Sequence, residues 1–126
     1  MGKQIARLLI VDDRPLNVEL LMEMLEGYAI QSALSGQEAL DKLSKEPYPD
    51  LILLDVMMPG MDGYEVVRQI KSREDIRDIP VIMVTALDEK QAKLRSLEAG
   101  ANEFISKPID LLKLQARVSH LLQRAS

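Results

Sequence analysis

The chain contains no cysteine, which excludes disulfides, thiolate metal sites and cysteine nucleophiles and fits a reducing compartment. It also lacks any long apolar run. The segments LLIV (8–11), LILL (51–54) and VIMV (81–84) fall far short of the ~20 apolar residues that a membrane-spanning helix needs. No membrane crossing is therefore expected, and the cytoplasm is the expected location. An excess of positive charge is missing too. With a formal net charge of −4 and bases interspersed among acids, there is no footprint for a polyphosphate backbone, and direct nucleic-acid binding is not expected. Ala6 stands where a myristoylation signal needs Ser or Thr. Asp12 and Asp13 interrupt any signal-peptide core, so no leader is expected.

A length of 126 residues suits one domain, spanning 1–126, that buries roughly two thirds of its unfolded surface. No internal repeat, low-complexity stretch, linker or output domain is visible in it. The three apolar runs are short and bounded by charged or turn residues, as in strands buried on both faces of a parallel sheet. Residues 28–33 and 103–106 mix polar with apolar positions, as edge strands do.

Segments of helical period alternate with these strands. The expected apolar faces are Leu16, Leu20, Leu21, Met24 and Leu25; Ala39, Leu40 and Leu43; Val66, Val67 and Ile70; Leu94 and Leu97; and Leu111, Leu114, Val118, Leu121 and Leu122. Pro15 suits a first helical turn, Ser35 to Glu38 reads as a capping box, and Gly100 suits a helix stop. Five βα units with right-handed crossovers and polar edges give an α/β, flavodoxin-like, doubly wound sheet of order 2-1-3-4-5, with helices on both faces.

Ligands of such sheets bind beyond the carboxyl ends of the strands. There the first strand delivers Asp12 and Asp13, the third Asp55, the fourth Thr85 and the fifth Lys107 followed by Pro108. Neighbouring first and third strands bring three carboxylates together, and their mutual repulsion calls for a cation. A hard divalent ion, Mg²⁺ (or Mn²⁺), suits carboxylates, waters and a phosphate; no histidine or cysteine nearby points to zinc. A carboxylate, a hydroxyl, an ammonium and a divalent ion around one point are the equipment of phosphoryl transfer, with Asp55 as the nucleophile.

Taken singly, each residue has a duller explanation. Asp12 or Asp13 could cap a helix, Asp55 could serve a turn, Thr85 could end a strand and Lys107 could be a solvated charge. Their joint placement at four strand ends argues against that. A phosphatase of the haloacid-dehalogenase type wants an acid where Met57 stands. A flavin module wants a hydroxyl- and glycine-rich loop where the chain has Asp-Asp-Arg-Pro.

The combined pattern Val11-Asp12-Asp13, Leu53 to Gly63 around Asp55, Val84-Thr85-Ala86 and Phe104 to Pro108 closely resembles receiver domains of bacterial two-component response regulators, the CheY-like variant of this fold. The resemblance covers essentially the whole chain. It implies that Asp55 is phosphorylated by a histidine kinase or histidine phosphotransfer protein. It further implies that Asp12, Asp13, Asp55 and the Met57 carbonyl hold the metal, and that Thr85 and Lys107 contact the phosphoryl group. The bond between Lys107 and Pro108 is expected to be cis.

Thr85 and Phe104 are the expected switch residues, remodelling a face of helix 4, strand 5 and helix 5 that addresses an output domain, an effector or a second copy. The domain is not expected to be an enzyme beyond its own phosphorylation and dephosphorylation. A degenerate receiver, binding without phosphorylation, is the alternative. Kinase docking is implied around Arg14, Pro15, Leu16 and Pro108. His120, the single histidine, is not expected to relay phosphate. Met57, Met58 and Met61 are expected to pack their loop.

Overall fold

The structure, a computed structural model, describes residues 5–86 and 89–125. The N-terminal motif at 1–4 and the helix start expected at Asp88 lie outside them. Strands β1 (Arg7–Val11), β2 (Ala29–Ala33), β3 (Leu51–Asp55), β4 (Val81–Thr85) and β5 (Glu103–Ser106) alternate with helices α1 (Pro15–Met24), α2 (Gly36–Lys42), α3 (Gly63–Lys71), α4 (Glu89–Ala99) and α5 (Leu111–Ala125). The sheet is parallel, in the order β2-β1-β3-β4-β5. β3 and β4 are buried at every position, whereas β2 and β5 are partly open.

The period of two along each strand divides the interior into two cores. Leu9, Val11, Ile52, Leu54, Val81 and Met83 face α2, α3 and the end of α4. Leu8, Ile10, Leu51, Leu53, Ile82 and Val84 face α1 and α5. Each central strand therefore contributes to both sides. At ~25 cal/mol per Å² of apolar surface removed from water, this double burial is the main force holding the sheet.

Local chemistry sets the helix ends. Pro15 opens α1. Ser35 caps α2 by accepting from the Glu38 N–H at 3.0 Å, and the Glu38 carboxylate accepts from the Leu34 N–H at 3.1 Å, one residue earlier than a standard capping box. Gly100 stops α4 with φ +100°, and the N–H groups of Gly100 and Ala101 both donate to the Ser96 carbonyl.

Two of the expected helix faces differ. In α1 the buried stripe is Val18, Leu21 and Leu25, while Leu16 and Leu20 are exposed. At 100° per residue, Leu16 and Leu20 point almost opposite to Val18. In α4 the buried residues are Ala92, Ser96 and Ala99, and the expected Leu94 and Leu97 face solvent. Small side chains let α4 lie close to its neighbours, and its leucines are left on the outer side. Leu111 is likewise exposed, whereas Leu114, Val118 and Leu121 are buried.

Gly63 fixes how closely α3 approaches the sheet. A Cβ there would lie 2.5 Å from the Asp55 carbonyl oxygen and 2.9 Å from Val56 Cα, both backbone atoms. Gly63→Ala is expected to lower stability by ~1–3 kcal/mol, as overpacked cores do. Leu94→Ser should change it by less than ~0.5 kcal/mol, as for other open surface positions. Urea unfolding midpoints of the two variants measure the contrast.

Candidate phosphoryl-transfer site

The strand register that forms the cores also assembles the site. Leu54 pairs with Val11, so Asp55 and Asp12 leave adjacent strands at the same level. Both continue the rows that face α1 and α5, as does Lys107 two residues beyond Ile105. Carboxylate oxygens of Asp12, Asp13 and Asp55 lie within 4.8 Å of one another. Lys107 Nζ lies 3.2 Å from Asp55 Oδ1.

Asp12 is firmly held. Its N–H donates to the Ala33 carbonyl at 3.1 Å. Its Oδ1 accepts from the Arg14 N–H at 2.9 Å and its Oδ2 from Asn17 Nδ2 at 3.3 Å. Asp13 is half-buried. Asp55 is only 4% exposed. Its Oδ1 has the ion-pair contact with Lys107 but no aligned hydrogen bond among the described residues.

Burial pushes the Asp55 carboxyl above its usual range, and the charge of Asp12 adds to the rise. The Lys107 ammonium and the Met57 N–H oppose it. A crowded carboxylate whose buried oxygen lacks a hydrogen bond fits a hard divalent cation. All three donors are carboxylates, which suits Mg²⁺ or Mn²⁺.

Thr85 is fully buried at the end of β4, one residue beyond Val84, the register partner of Asp55. Its carbonyl accepts from the Lys107 N–H at 2.7 Å, which ties the hydroxyl-bearing strand to the lysine. The Lys107–Pro108 peptide is cis. Phe104 is half-buried, packs against the core on the α2, α3 and α4 side, and borders a groove of about 90 Å³ with Ser96 and Leu97. Met58 is buried and Met61 packs on that same core. Met57, expected to pack in the loop, projects instead with 66% exposure.

Sequence reasoning missed Asn17, and it quoted Gly63 in the motif around Asp55 without its close approach to the sheet. Asn17 stands in the first turn of α1, five residues after Asp12, among other polar residues of that helix, Glu19 and Glu23, and nothing in the sequence marked it out. The closeness of Gly63 to β3 exists only in three dimensions. Asn17 also lines a groove of about 360 Å³ with Leu20, Met24, Lys107, Pro108 and Ile109.

A family model described as the response regulator receiver domain matches residues 8–119. The chain belongs to this family. It is 48% identical to the response regulator PleD of Caulobacter vibrioides over 92% of this chain and 26% of that protein. It is 40% identical to the DNA-binding dual master transcriptional regulator RpaA of Synechocystis over 94% of this chain and 49% of that one. The receiver thus spans a quarter to a half of the length of these curated relatives.

Among solved structures, the signal receiver domain of a histidine kinase from Syntrophus aciditrophicus superposes with a TM-score of 0.86 at 43% identity, covering 94% of this chain and 90% of that one. Vibrio cholerae chemotaxis protein CheY4 gives 0.85 at 28% identity, covering 94% and 99%. The receiver has the doubly wound, CheY-like fold. No helix among its described residues is long and apolar enough to cross a membrane.

The raised pKa of Asp55 carries a stability prediction. A carboxyl that holds its proton more tightly when folded adds stability below the unfolded pKa, ~3.9, and loses that contribution as pH rises through the folded value. At pH 7 in EDTA, Asp55→Asn should therefore unfold at a higher temperature than the parent, by about 4 °C for each kcal/mol gained. Thermal melts followed by circular dichroism should show the gain shrinking toward pH 4.

Proposed function

We propose that the receiver is a phosphoacceptor switch in which Asp55 takes a phosphoryl group from a histidine kinase or histidine phosphotransfer protein in the cytoplasm. The observation that carries this reading is the convergence of three carboxylates with Lys107 3.2 Å from Asp55. An Asp55 carboxylate oxygen attacks phosphorus, the bond to the donor breaks with its electron pair leaving on the donor, and an acyl phosphate remains. Asp12, Asp13, Asp55 and the Met57 carbonyl would hold Mg²⁺. When bound, it supplies positive charge against the phosphoryl oxygens.

Lys107 neutralises part of the same charge from just beyond the carboxyl end of β5, and the Thr85 hydroxyl donates to a phosphoryl oxygen. Burial keeps bulk water from the acceptor. The product adds about −1.5 to −2 charges and three acceptors, enough to bias a two-state element. We assign that element to Thr85 and Phe104. Phe104 has no hydroxyl, so its packing beside α4 is its only means of reporting the state.

Two apolar surfaces support a division of partners. Leu16 and Leu20 on α1, with the groove at Pro108, suit the phosphoryl donor. Leu94 and Leu97 on α4, with Leu111 and Leu112 on α5, suit an output domain, an effector or a second copy. The complete set Asp12, Asp13, Asp55, Thr85 and Lys107 favours an active receiver over a degenerate one.

Incubation with acetyl phosphate and Mg²⁺ followed by intact mass should show one added phosphoryl group, lost with EDTA and absent in Asp55→Ala. No gain, or an equal gain in that variant, would overturn the proposal. Phe104→Ala should still take up phosphate while losing the response that follows it. Phosphorylation-dependent change in sedimentation, or in binding of the output partner, is the readout.

A further inference from the structure

We infer that Asn17 is a positioning residue for the Asp12 carboxylate, holding it turned toward the cation that the cluster would bind. The inference rests on the metal reading above. An ionised carboxylate has about four acceptor sites. In Asp12 one site on each oxygen is taken, by the Arg14 N–H at 2.9 Å on Oδ1 and by Asn17 Nδ2 at 3.3 Å on Oδ2. Two donors on two oxygens leave the carboxylate no free rotation. The remaining lone pairs serve the cluster, where a ligand oxygen of Asp12 lies within 4.8 Å of those of Asp13 and Asp55.

The chemistry of the two donors matters as much as their placement. Both are neutral amides. A lysine or arginine at position 17 would fix Asp12 equally well but would cancel charge that the cation needs. An amide orients the carboxylate and leaves the cluster negative. Asp12 is 2% exposed, so water cannot easily replace a lost donor. The Arg14 N–H is fixed by the backbone, whereas the Asn17 amide is a side-chain choice made by the sequence. No other side chain donates to Asp12 among the described hydrogen bonds.

The test titrates Mg²⁺ into metal-stripped protein by calorimetry, for the parent, Asn17→Ala and Asn17→Leu, each with Asp12 intact and in an Asp12→Ala background. Thermal midpoints are taken in EDTA. Removing an outer-shell partner typically weakens metal affinity ~10–100-fold; both Asn17 variants should bind Mg²⁺ about ten-fold more weakly at a titration temperature well below their EDTA midpoints. Asn17→Leu keeps the number and branching of the side-chain heavy atoms while removing the donor, which separates the lost donor from lost packing.

In the Asp12→Ala background the Asn17 substitutions should have no further effect, since the interaction they remove is already gone. Variants that bind within about two-fold of a binding parent, or that weaken binding equally without Asp12, overturn the inference. So does an EDTA midpoint so low that the variants are unfolded at the titration temperature, which would itself account for the loss. A parent that takes up no Mg²⁺ overturns the metal reading itself and the inference with it.

Discussion

Three carboxylates within 4.8 Å of one another at the end of a buried sheet are the constraint that the rest of the receiver serves. Like charges at that spacing repel, and a low-dielectric surrounding magnifies the repulsion. They stay together because their backbones are not free to part. Asp55 closes a strand whose side chains are all buried, and Asp12 extends a strand paired in register with it on one side and with β2 on the other. The apolar cores on both faces supply the energy that holds acids where acids alone would not stay. Lys107 offsets part of the charge, and a divalent cation would offset more.

The architecture was legible because its signals are strong and short-ranged. LLIV, LILL and VIMV became β1, β3 and β4 with little adjustment, and the polar mixture in β2 and β5 matched their edge positions. Strand order followed, and with it the convergence of Asp12, Asp13 and Asp55. The orientation of α1 and α4 was not legible in the same way. Leucine content suggested Leu16, Leu20, Leu94 and Leu97 as inward residues, but the inner faces are built from Val18 and Leu21 in one helix and Ala92, Ser96 and Ala99 in the other. A small residue against a sheet and a leucine on the outer side look alike in sequence, since both fit the helical period.

The two cores also separate tasks. Asp12, Asp55 and Lys107 continue the rows facing α1 and α5, whereas Phe104 packs on the core beneath α2, α3 and α4. Thr85 follows Val81 and Met83 in alternation, on the Phe104 side, while its carbonyl is bonded to the Lys107 N–H. It is the residue through which the acidic rim and the aromatic side chain share a strand end. Two exposed leucines divide similarly, Leu20 of α1 sharing a groove with Asp12 and Leu97 of α4 one with Phe104.

The outward projection of Met57 gives the receiver a chemical handle. Its side chain is 66% exposed two residues from Asp55, and the chain holds no cysteine. A thiol introduced there as Met57→Cys would be unique in the molecule, reachable by a fluorophore and adjacent to Asp55. Any change of charge at Asp55 would then be visible as light from such a label, without any partner protein present.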